Sequence, residues 1–305
     1  MQQKQERRYQ FVLTACARWE DEEIVEWIEF HKAIGIEHIY LYCNDDHYRP
    51  LFKRVLPYVT GPTPFLTFIF WESLGDQLGM YADYLRNYKD ETEWCCFLDI
   101  DEFLVLKGQD NVKEFMARFN DDVSCVYFNW ILYGNCGKTE RDGDFVLSSL
   151  FKRSGRIDVH TKAFFRTAAV SASSALDGAH RTGLAFTHFW NDYYPDGQFQ
   201  IRNVLGENMA DYTKDFPKHA GNFVSDEARA ARIRDTGYVA HFQFKSERDF
   251  IRRVERGGFA QQEIWKALYE RGDAATYLTM INEMEDQYLA LLWNRILDAC
   301  IRIGP

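Results

Sequence analysis

The sequence predicts an α/β fold in which a mostly parallel, twisted sheet is flanked by helices and followed by a helical C-terminal extension. Two observations support this prediction. Short apolar runs alternate with segments of helical period over residues 11–130, and the pattern becomes helical again from residue 226 onward. Because parallel strands need crossover connections that cover the sheet, repeated βα alternation indicates this architecture.

The first half of the chain predicts four strands with helices between them. The strands are expected over residues 11–16, 38–43, 65–70 and 94–98. The helices are expected over residues 24–34, 51–58 and 77–87. In the first helix, apolar side chains recur at three- and four-residue steps, and Gly35 follows where a C-cap is expected.

The second half of the chain is less regular. Further strands are expected over residues 123–129 and 163–167, and helices over residues 250–254, 263–269 and, as one long run, 277–301. The sequence has no internal repeat and no obvious linker. A single α/β domain over residues 1–260, with a helical extension over residues 261–305 packed on it, is therefore more economical than two independent domains.

Composition excludes several classes of protein. The 305 residues carry 36 basic and 46 acidic side chains, a formal net charge of −10, which argues against nucleic acid as a partner. No apolar run approaches the ~18–20 residues of a membrane span, and no secretory signal is evident. The seven cysteines are odd in number and several lie in apolar runs, which is typical of reduced thiols in a cytoplasmic protein.

Two aspartates follow the fourth predicted strand. Asp99 and Asp101 are separated by one residue, so strand geometry places them on the same side at the carboxyl edge of the sheet, where open α/β folds bind ligands. Carboxylate oxygens are the ligands that Mg²⁺ and Mn²⁺ prefer, and a site with few protein ligands leaves positions for a diphosphate. This arrangement suits a nucleotide-diphosphate donor. The structural alternative is that either aspartate caps the next helix or turn.

Five sequence blocks in the same order resemble glycosyltransferase family 92 and its bacterial relatives, which have the Rossmann-like GT-A fold. The blocks are residues 22–44, the D-x-D-E-F-L run at 99–104, residues 130–137, Lys162 to Arg166 leading to His180, and residues 241–250 with Arg256-Gly257. Each block is weak alone, but their shared order makes chance similarity an unsatisfactory explanation. No dinucleotide-binding G-x-G-x-x-G, G-x-S-x-G or H-E-x-x-H motif is present, and Leu132 replaces the first glycine of a P-loop.

The resemblance implies a metal site. It makes Asp101 the first ligand of Mn²⁺ or Mg²⁺ and Asp99 the second, although in related folds the residue at Asp99 can hold the donor ribose or bind through water. His241 is implied as a third ligand that closes the site, and imidazole suits Mn²⁺ better than Mg²⁺. The structural alternative for His241 is a hydrogen-bonded core histidine.

Donor-binding candidates lie at the same predicted edge of the sheet. Ala15 and Arg18 at the end of the first strand, and Asn44 and Asp45 at the end of the second, are expected to line the nucleotide pocket. Turn propensity explains Asn44 and Asp45 equally well.

Three further donor contacts are predicted. Gln77 and Tyr81 lie on the helix that precedes the metal strand. Lys245 could add countercharge to the diphosphate. The alternative for its segment is that Ser246 caps the following helix through Asp249.

An inverting transfer needs a base that removes the proton of the acceptor hydroxyl. By analogy with many GT-A enzymes, the base is expected after the strand that resembles Lys162 to Thr167, which makes Asp177 and His180 the candidates. Glu102 is a weaker candidate that a salt bridge explains more simply.

We therefore expect a glycosyltransferase that moves a hexose, galactose by family analogy, from a UDP-hexose to a glycan or lipid-linked acceptor with inversion. The absence of an anchor predicts a cytoplasmic bacterial enzyme of surface polysaccharide or lipopolysaccharide synthesis. Basic clusters over residues 229–234 and 252–256 could contact the inner membrane peripherally, but solvated helix faces explain them more simply.

Two alternatives have the same D-x-D signal. A metal-dependent nucleotidyltransferase or phosphotransferase usually has its aspartate pair on the first strand or a Gly-rich phosphate loop, and this sequence has neither. A non-catalytic glycan-binding protein with the same fold would have no use for Asp99, Asp101, His241 and Lys245 together.

Overall fold

The computed structural model describes residues 7–109, 111–141, 143, 145–183, 185–191, 199–256 and 261–301, with the backbone alone for residues 261–265. Its strands are β1 Tyr9–Ala17, β2 His38–Cys43, β3 Leu66–Phe70, β4 Thr92–Phe97, β5 Glu102–Leu106, β6 Val123–Leu132, β7 Lys152–Arg153, β8 Thr161–Arg166, β9 Gln200–Asn203, β10 Gly237–His241 and β11 Met284–Glu285.

The helices follow the strands in alternation through the first half of the chain. They are α1 Ile24–Ala33, α2 Arg49–Val59, α3 Gln77–Asn87, α4 Val112–Met116, α5 Val146–Ser149, α6 Ala172–Thr182, α7 Lys218–Val224, α8 Glu227–Arg234, α9 Glu247–Arg256, α10 Gln261–Glu270, α11 Ala274–Ile281 and α12 Tyr288–Cys300. Among the helices of the described ranges, none is long and apolar enough to cross a membrane.

The main sheet has the strand order β3-β2-β1-β4-β8-β6-β10-β5, and β9 pairs with β6. The four strands β3, β2, β1 and β4 are parallel, as the βα alternation predicts. Strand β8 is antiparallel to both of its neighbours, and β5 is antiparallel to β10. The predicted class, a mostly parallel GT-A-like sheet flanked by helices with helices at the C-terminus, is confirmed.

Each face of the sheet packs its own core. Val12 and Leu13 of β1 are consecutive, so their side chains point to opposite faces. Leu13 packs in the core that holds Trp27 of α1, and Val12 packs in the core that holds Tyr84 of α3. Helices therefore cover both faces, and the edge where the parallel strands end stays available for polar side chains.

The predicted elements agree with the structure most closely in the parallel half. The strand over residues 38–43 and the helix over residues 77–87 are confirmed to the residue. The single helical run expected over residues 277–301 is wrong, because α11 and α12 are separated by β11.

Polar contacts explain the break between α11 and α12. Asn282 Oδ1 accepts a hydrogen bond from Cys136 N at 3.0 Å, and β11 pairs with β7. Arg153 Nε is 2.7 Å from Asp286 Oδ2. Met284 fits the apolar period of the sequence, yet 47% of its surface is exposed. Apolar spacing alone could not reveal these pairings.

Helix α12 packs on the α/β body. Its Leu289, Leu292 and Trp293 side chains belong to the same core as α1 and the sheet, and Phe145 beside α5 meets the Trp293 ring edge-on at 5.4 Å. The C-terminal apolar stripe is therefore covered by the chain's own body along this face.

We expect Trp293→Ala to lower the free energy of unfolding by about 3–5 kcal/mol, because it removes a large buried side chain and leaves a cavity. Leu291→Ala, on the exposed face of the same helix, should change the free energy of unfolding by less than about 0.5 kcal/mol. Urea denaturation of both variants measures the difference. Equal, small effects would show that α12 contributes little to the stability of the body.

Candidate active site

Charged side chains converge at the edge of the sheet where the parallel strands end. Asp99 and Asp101 occupy the turn between β4 and β5. Glu102 begins β5 and lies opposite His241, the last residue of β10. Because β8 runs antiparallel, its second residue, Lys162, lies at this same edge. The strand order thus assembles residues that are far apart in sequence.

Lys162 is buried between two carboxylates. Its Nζ atom is 2.8 Å from Asp99 Oδ2 and 3.3 Å from Glu102 Oε2. Burial acts to raise the pKa of Asp99, but the charge of Lys162 holds it below its usual range. Burial raises the pKa of Glu102 well above its usual range despite the same ammonium. One cation therefore balances one carboxylate, and burial favours the protonated form of Glu102.

Helix α1 fixes the strand that follows the two aspartates. Trp27 Nε1 donates to the Glu102 carbonyl at 2.8 Å, and His31 Nε2 accepts from Leu104 N at 3.3 Å. His31 Nδ1 donates to the Trp27 carbonyl at 2.8 Å, and burial lowers the pKa of His31 to about 3. The neutral imidazole thus satisfies both contacts. The tryptophan and histidine of the first family-like block hold β5 in place.

Asp101 is a buried carboxylate with two basic neighbours. Its Oδ2 atom accepts a hydrogen bond from Arg253 Nη1 at 2.7 Å and lies 3.5 Å from His241 Nε2. Burial acts to raise the pKa of Asp101, but His241 and Arg253 hold it well below its usual range. Asp101 is therefore an anion at the wall of the cleft.

Asp101 and His241 are the pair of side chains at this edge that could hold a divalent cation. Two atoms that coordinate an ion at right angles, each about 2.1 Å from it, lie about 3 Å apart. The 3.5 Å between Asp101 Oδ2 and His241 Nε2 needs only a small movement to match. No group of three or more His, Cys, Asp or Glu side chains in the described ranges is arranged to hold a metal. Water and substrate oxygens would complete the coordination.

Asp99 is engaged away from this pair. Beyond its contact with Lys162, its Oδ1 atom accepts hydrogen bonds from Gln77 Nε2 at 2.9 Å and from the Tyr81 hydroxyl at 3.4 Å. The structure thus brings the three sequence candidates Asp99, Gln77 and Tyr81 together. Among the described residues Asp99 makes no hydrogen bond or ion pair with His241, and Lys162 is the cation that pairs with its carboxylate.

Asn44 shapes the loop that follows β3. Its Nδ2 atom donates to the carbonyls of Trp71 at 2.9 Å and Ser73 at 3.0 Å, and its Oδ1 atom accepts from Gly75 N at 2.7 Å. These bonds use both amide hydrogens. Asn44 therefore positions the wall of the expected nucleotide pocket, and its contact with base or ribose stays a prediction.

The candidates at the ends of β1 and β2 also have structural partners of their own. Asp45 Oδ1 accepts from Trp19 N at 2.6 Å and supports the positive φ of 60° at that residue. Ala15 is fully buried within β1, and the Arg18 carbonyl accepts from Arg256 Nη1 at 3.0 Å. Direct donor contacts by Ala15, Arg18 and Asp45 also stay predictions.

Lys245 belongs to an ion-pair network beside Asp101. Its Nζ atom is 3.3 Å from Glu23 Oε1, and Arg141 pairs with Glu23 and with Asp249, the latter at 2.8 Å. Ser246 Oγ accepts from Asp249 N at 3.1 Å, so the predicted cap of α9 is confirmed. Contact of Lys245 with the donor diphosphate stays a prediction.

A polar cleft opens beside Asp101 between α9 and the loop after β1. Its lining combines carboxylates with several cations: Trp19, Glu20, Glu23, Asp101, Gln243, Lys245, Asp249, Arg252, Arg253 and Arg256. Gly257 of the last family-like block lies outside the described residues.

The two candidate bases lie on α6, which packs against α3. The Asp177 and His180 side chains are both exposed. Within the part of the chain that the structure describes, neither makes a hydrogen bond or ion pair with Asp99 or Asp101. Their catalytic role stays a prediction.

Sequence reasoning missed the roles of Lys162 and Arg253. Lys162 begins the fourth family-like block, so its position was visible although its pairing with Asp99 was not. Arg253 was interpreted only as one member of a solvated basic cluster. No local pattern indicates that α9 brings its guanidinium to Asp101.

The family model of glycosyltransferase family 92 matches residues 15–175, more than half of the chain. The chain belongs to glycosyltransferase family 92. A family 92 protein of Oryza sativa subsp. japonica is 27% identical over 97 residues, which are 31% of this chain and 16% of that protein. The chain thus spans only a small part of this curated relative.

Solved structures resemble the chain at low identity. TarS 1–349 of S. aureus aligns with a TM-score of 0.33 and 12% identity over 52% of this chain and 47% of that one. The glycosyltransferase GlyE of Streptococcus pneumoniae TIGR4 aligns with a TM-score of 0.41 and 10% identity over 97% of this chain and 65% of that one. Scores this low do not bear on the chemistry of this chain.

We expect Lys162→Met to lower the free energy of unfolding by about 3–5 kcal/mol at pH 8, because it leaves the buried Glu102 carboxyl and the part-exposed Asp99 carboxylate without their cation. Without the ammonium the folded-state pKa of Asp99 rises from below its usual range, and the pKa of Glu102 rises further. A carboxyl group whose pKa is higher in the folded state than in the unfolded state destabilises the fold increasingly as pH rises. The loss of unfolding free energy in Lys162→Met should therefore be smaller at pH 5 than at pH 8. Urea denaturation at both pH values measures it.

Lys53→Met on the exposed face of α2 is the matched control, and we expect a change below about 0.5 kcal/mol at either pH. A Lys162→Met deficit that is equally large at pH 5 and pH 8 would contradict the electrostatic role of Lys162.

Proposed function

We propose that this chain transfers a hexosyl group from a UDP-linked sugar to a glycan or lipid-linked acceptor, with Mn²⁺ or Mg²⁺ held by Asp101 and His241. The observation that carries the proposal is the 3.5 Å approach of these two side chains at the carboxyl edge of the sheet. Family membership supports the reaction class. The cations along the adjoining cleft support an anionic donor.

The bound metal would neutralise negative charge that develops on the leaving diphosphate. The protein's own residues prepare the site for this. Lys162 fixes Asp99 and the turn that carries Asp101, and Gln77 and Tyr81 hold Asp99 from the other side. Arg253 and Lys245 flank Asp101 and can supply further positive charge to phosphate oxygens.

The finer assignments depend on the sequence resemblance. Galactose as the hexose, inversion, a place in surface polysaccharide or lipopolysaccharide synthesis, and a cytoplasmic or inner-membrane location are proposals of this kind. We also propose that residues 1–260 form the transferase domain and residues 261–305 its extension, since Trp293 packs in the main core.

We expect one of UDP, GDP and CMP, foremost UDP, to bind the wild-type chain only when Mn²⁺ is present. Isothermal titration with each nucleotide, with and without Mn²⁺, measures this. Asp101→Ala should weaken the metal-dependent binding by at least about 100-fold, because it removes a ligand of the ion. Asp298→Ala, at an exposed position of α12, should leave binding unchanged.

Asp101→Asn retains the side-chain volume and tests whether any loss in Asp101→Ala is a packing effect. Binding that is independent of metal, or unchanged in both Asp101 variants, would contradict the metal assignment. If no nucleotide binds under any condition, a glycan-binding protein without turnover becomes the better interpretation.

A further inference from the structure

A row of aromatic rings crosses the sheet beside the Asp101–His241 pair. Trp130 of β6 packs against His241 on one side, with ring centroids 4.3 Å apart, and stacks on His160 on the other, with centroids 5.1 Å apart. The His160 and His241 rings are therefore within about 9.4 Å of one another, the sum of those two distances. His160 thus lies next to the expected metal site without being part of it.

His160 and Asp158 form a hydrogen-bonded dyad. His160 Nδ1 is 2.7 Å from Asp158 Oδ1, and the same oxygen accepts from the His160 backbone N–H at 2.8 Å. Burial acts to raise the pKa of Asp158, but the hydrogen bond and charge of His160 hold it below its usual range. A carboxylate only accepts hydrogen bonds, so Nδ1 carries the proton and Nε2 is left as the ring atom that can face a substrate.

The backbone fixes this dyad in position. Asp158 N donates to the Trp130 carbonyl at 2.9 Å, and Trp130 N donates to the His160 carbonyl at 3.0 Å. About a third of each side chain is exposed, 32% for His160 and 30% for Asp158. The imidazole is therefore held rigidly and is also accessible, as a proton acceptor for an incoming substrate must be.

A second histidine links the dyad to the buried cation. His188 packs on Trp130 and on His160, with ring centroids 5.0 and 5.6 Å apart. Burial and the charge of Lys162 hold the pKa of His188 well below its usual range. A neutral, half-buried ring thus packs against His160 and lies within range of the Lys162 charge.

We propose that His160 is the catalytic base that deprotonates the acceptor hydroxyl and that Asp158 is its positioning residue, an inference that rests on the proposed function. The acceptor proton passes to His160 Nε2 while the acceptor oxygen bonds to the anomeric carbon. The bond from that carbon to the diphosphate oxygen breaks, and the oxygen leaves with the electron pair. Asp158 stabilises the imidazolium that results. Asp177 and His180, exposed on α6, have no such oriented partner among the described contacts.

Release of UDP from UDP-galactose, UDP-glucose and UDP-N-acetylglucosamine in the presence of Mn²⁺, with water as the acceptor, tests this proposal. His160→Asn keeps a donor for Asp158 but cannot take up the proton. We expect it to slow UDP release by about 10²–10⁴-fold, the range for loss of a general base, with UDP affinity unchanged within threefold. His219→Asn, at an exposed position of α7, should retain the wild-type rate.

Sodium azide separates a base from a structural residue, because the azide anion attacks the anomeric carbon without losing a proton. His160→Ala leaves space for azide, and we expect azide to accelerate its UDP release at least tenfold, with a glycosyl azide as product. Asp158→Asn should likewise lose the reaction with water and retain the reaction with azide.

Three outcomes would overturn the inference. His160→Asn could release UDP within threefold of the wild-type rate, azide could leave His160→Ala unchanged, or His180→Asn could show the hundredfold loss instead. In these cases the proposed function survives. A wild-type chain that binds no UDP and cleaves no donor would overturn the proposed function, and the inference with it.

Discussion

The site depends on one buried ammonium group. Lys162 lies between Asp99 and Glu102 with none of its surface exposed, and without it the buried Glu102 carboxyl and the part-exposed Asp99 carboxylate would have no cation between them. The antiparallel direction of β8 is what brings this lysine to the edge where the parallel strands end. The direction of β8 therefore determines which positive charge lies beside Asp99 and Glu102.

The site has two parts, one around the Lys162 ammonium and one around the Asp101 carboxylate, and their side chains are engaged differently. On the Lys162 side, Asp99, Gln77 and Tyr81 form a closed set of contacts, and α1 fixes β5 through Trp27 and His31. On the other side, Asp101 faces His241, Arg253 and a cleft that is rich in cations. The contacts around Lys162 position the turn between β4 and β5. On the other side, Asp101 can exchange its contact with Arg253 for a metal ion, and the cations of the cleft can bind a diphosphate.

The parallel half of the fold could be predicted because its signal is local. Each strand and helix has its own apolar period, and His38–Cys43 and Gln77–Asn87 agree to the residue. The break between α11 and α12 could not be predicted, because the contact of Asn282 and the pairing of β11 with β7 involve residues more than a hundred positions earlier.

The candidate site divides in the same way. Asp99, Asp101, Gln77 and Tyr81 follow from strand ends and helix faces. The contacts of Lys162 and Arg253, and the stacking of His160 on Trp130, arise from strand order and from the docking of α9, which no spacing in the sequence records.

Anomalous diffraction from a crystal grown with MnCl₂ and UDP would test most directly which residues hold the metal. The predicted result is a manganese peak bonded to Asp101 and His241, with Asp99 still paired with Lys162 and the Arg253 guanidinium no longer on Asp101. A manganese peak bonded to Asp99, or an Asp101–Arg253 pair that persists with UDP bound and no manganese beside it, would contradict the assignment.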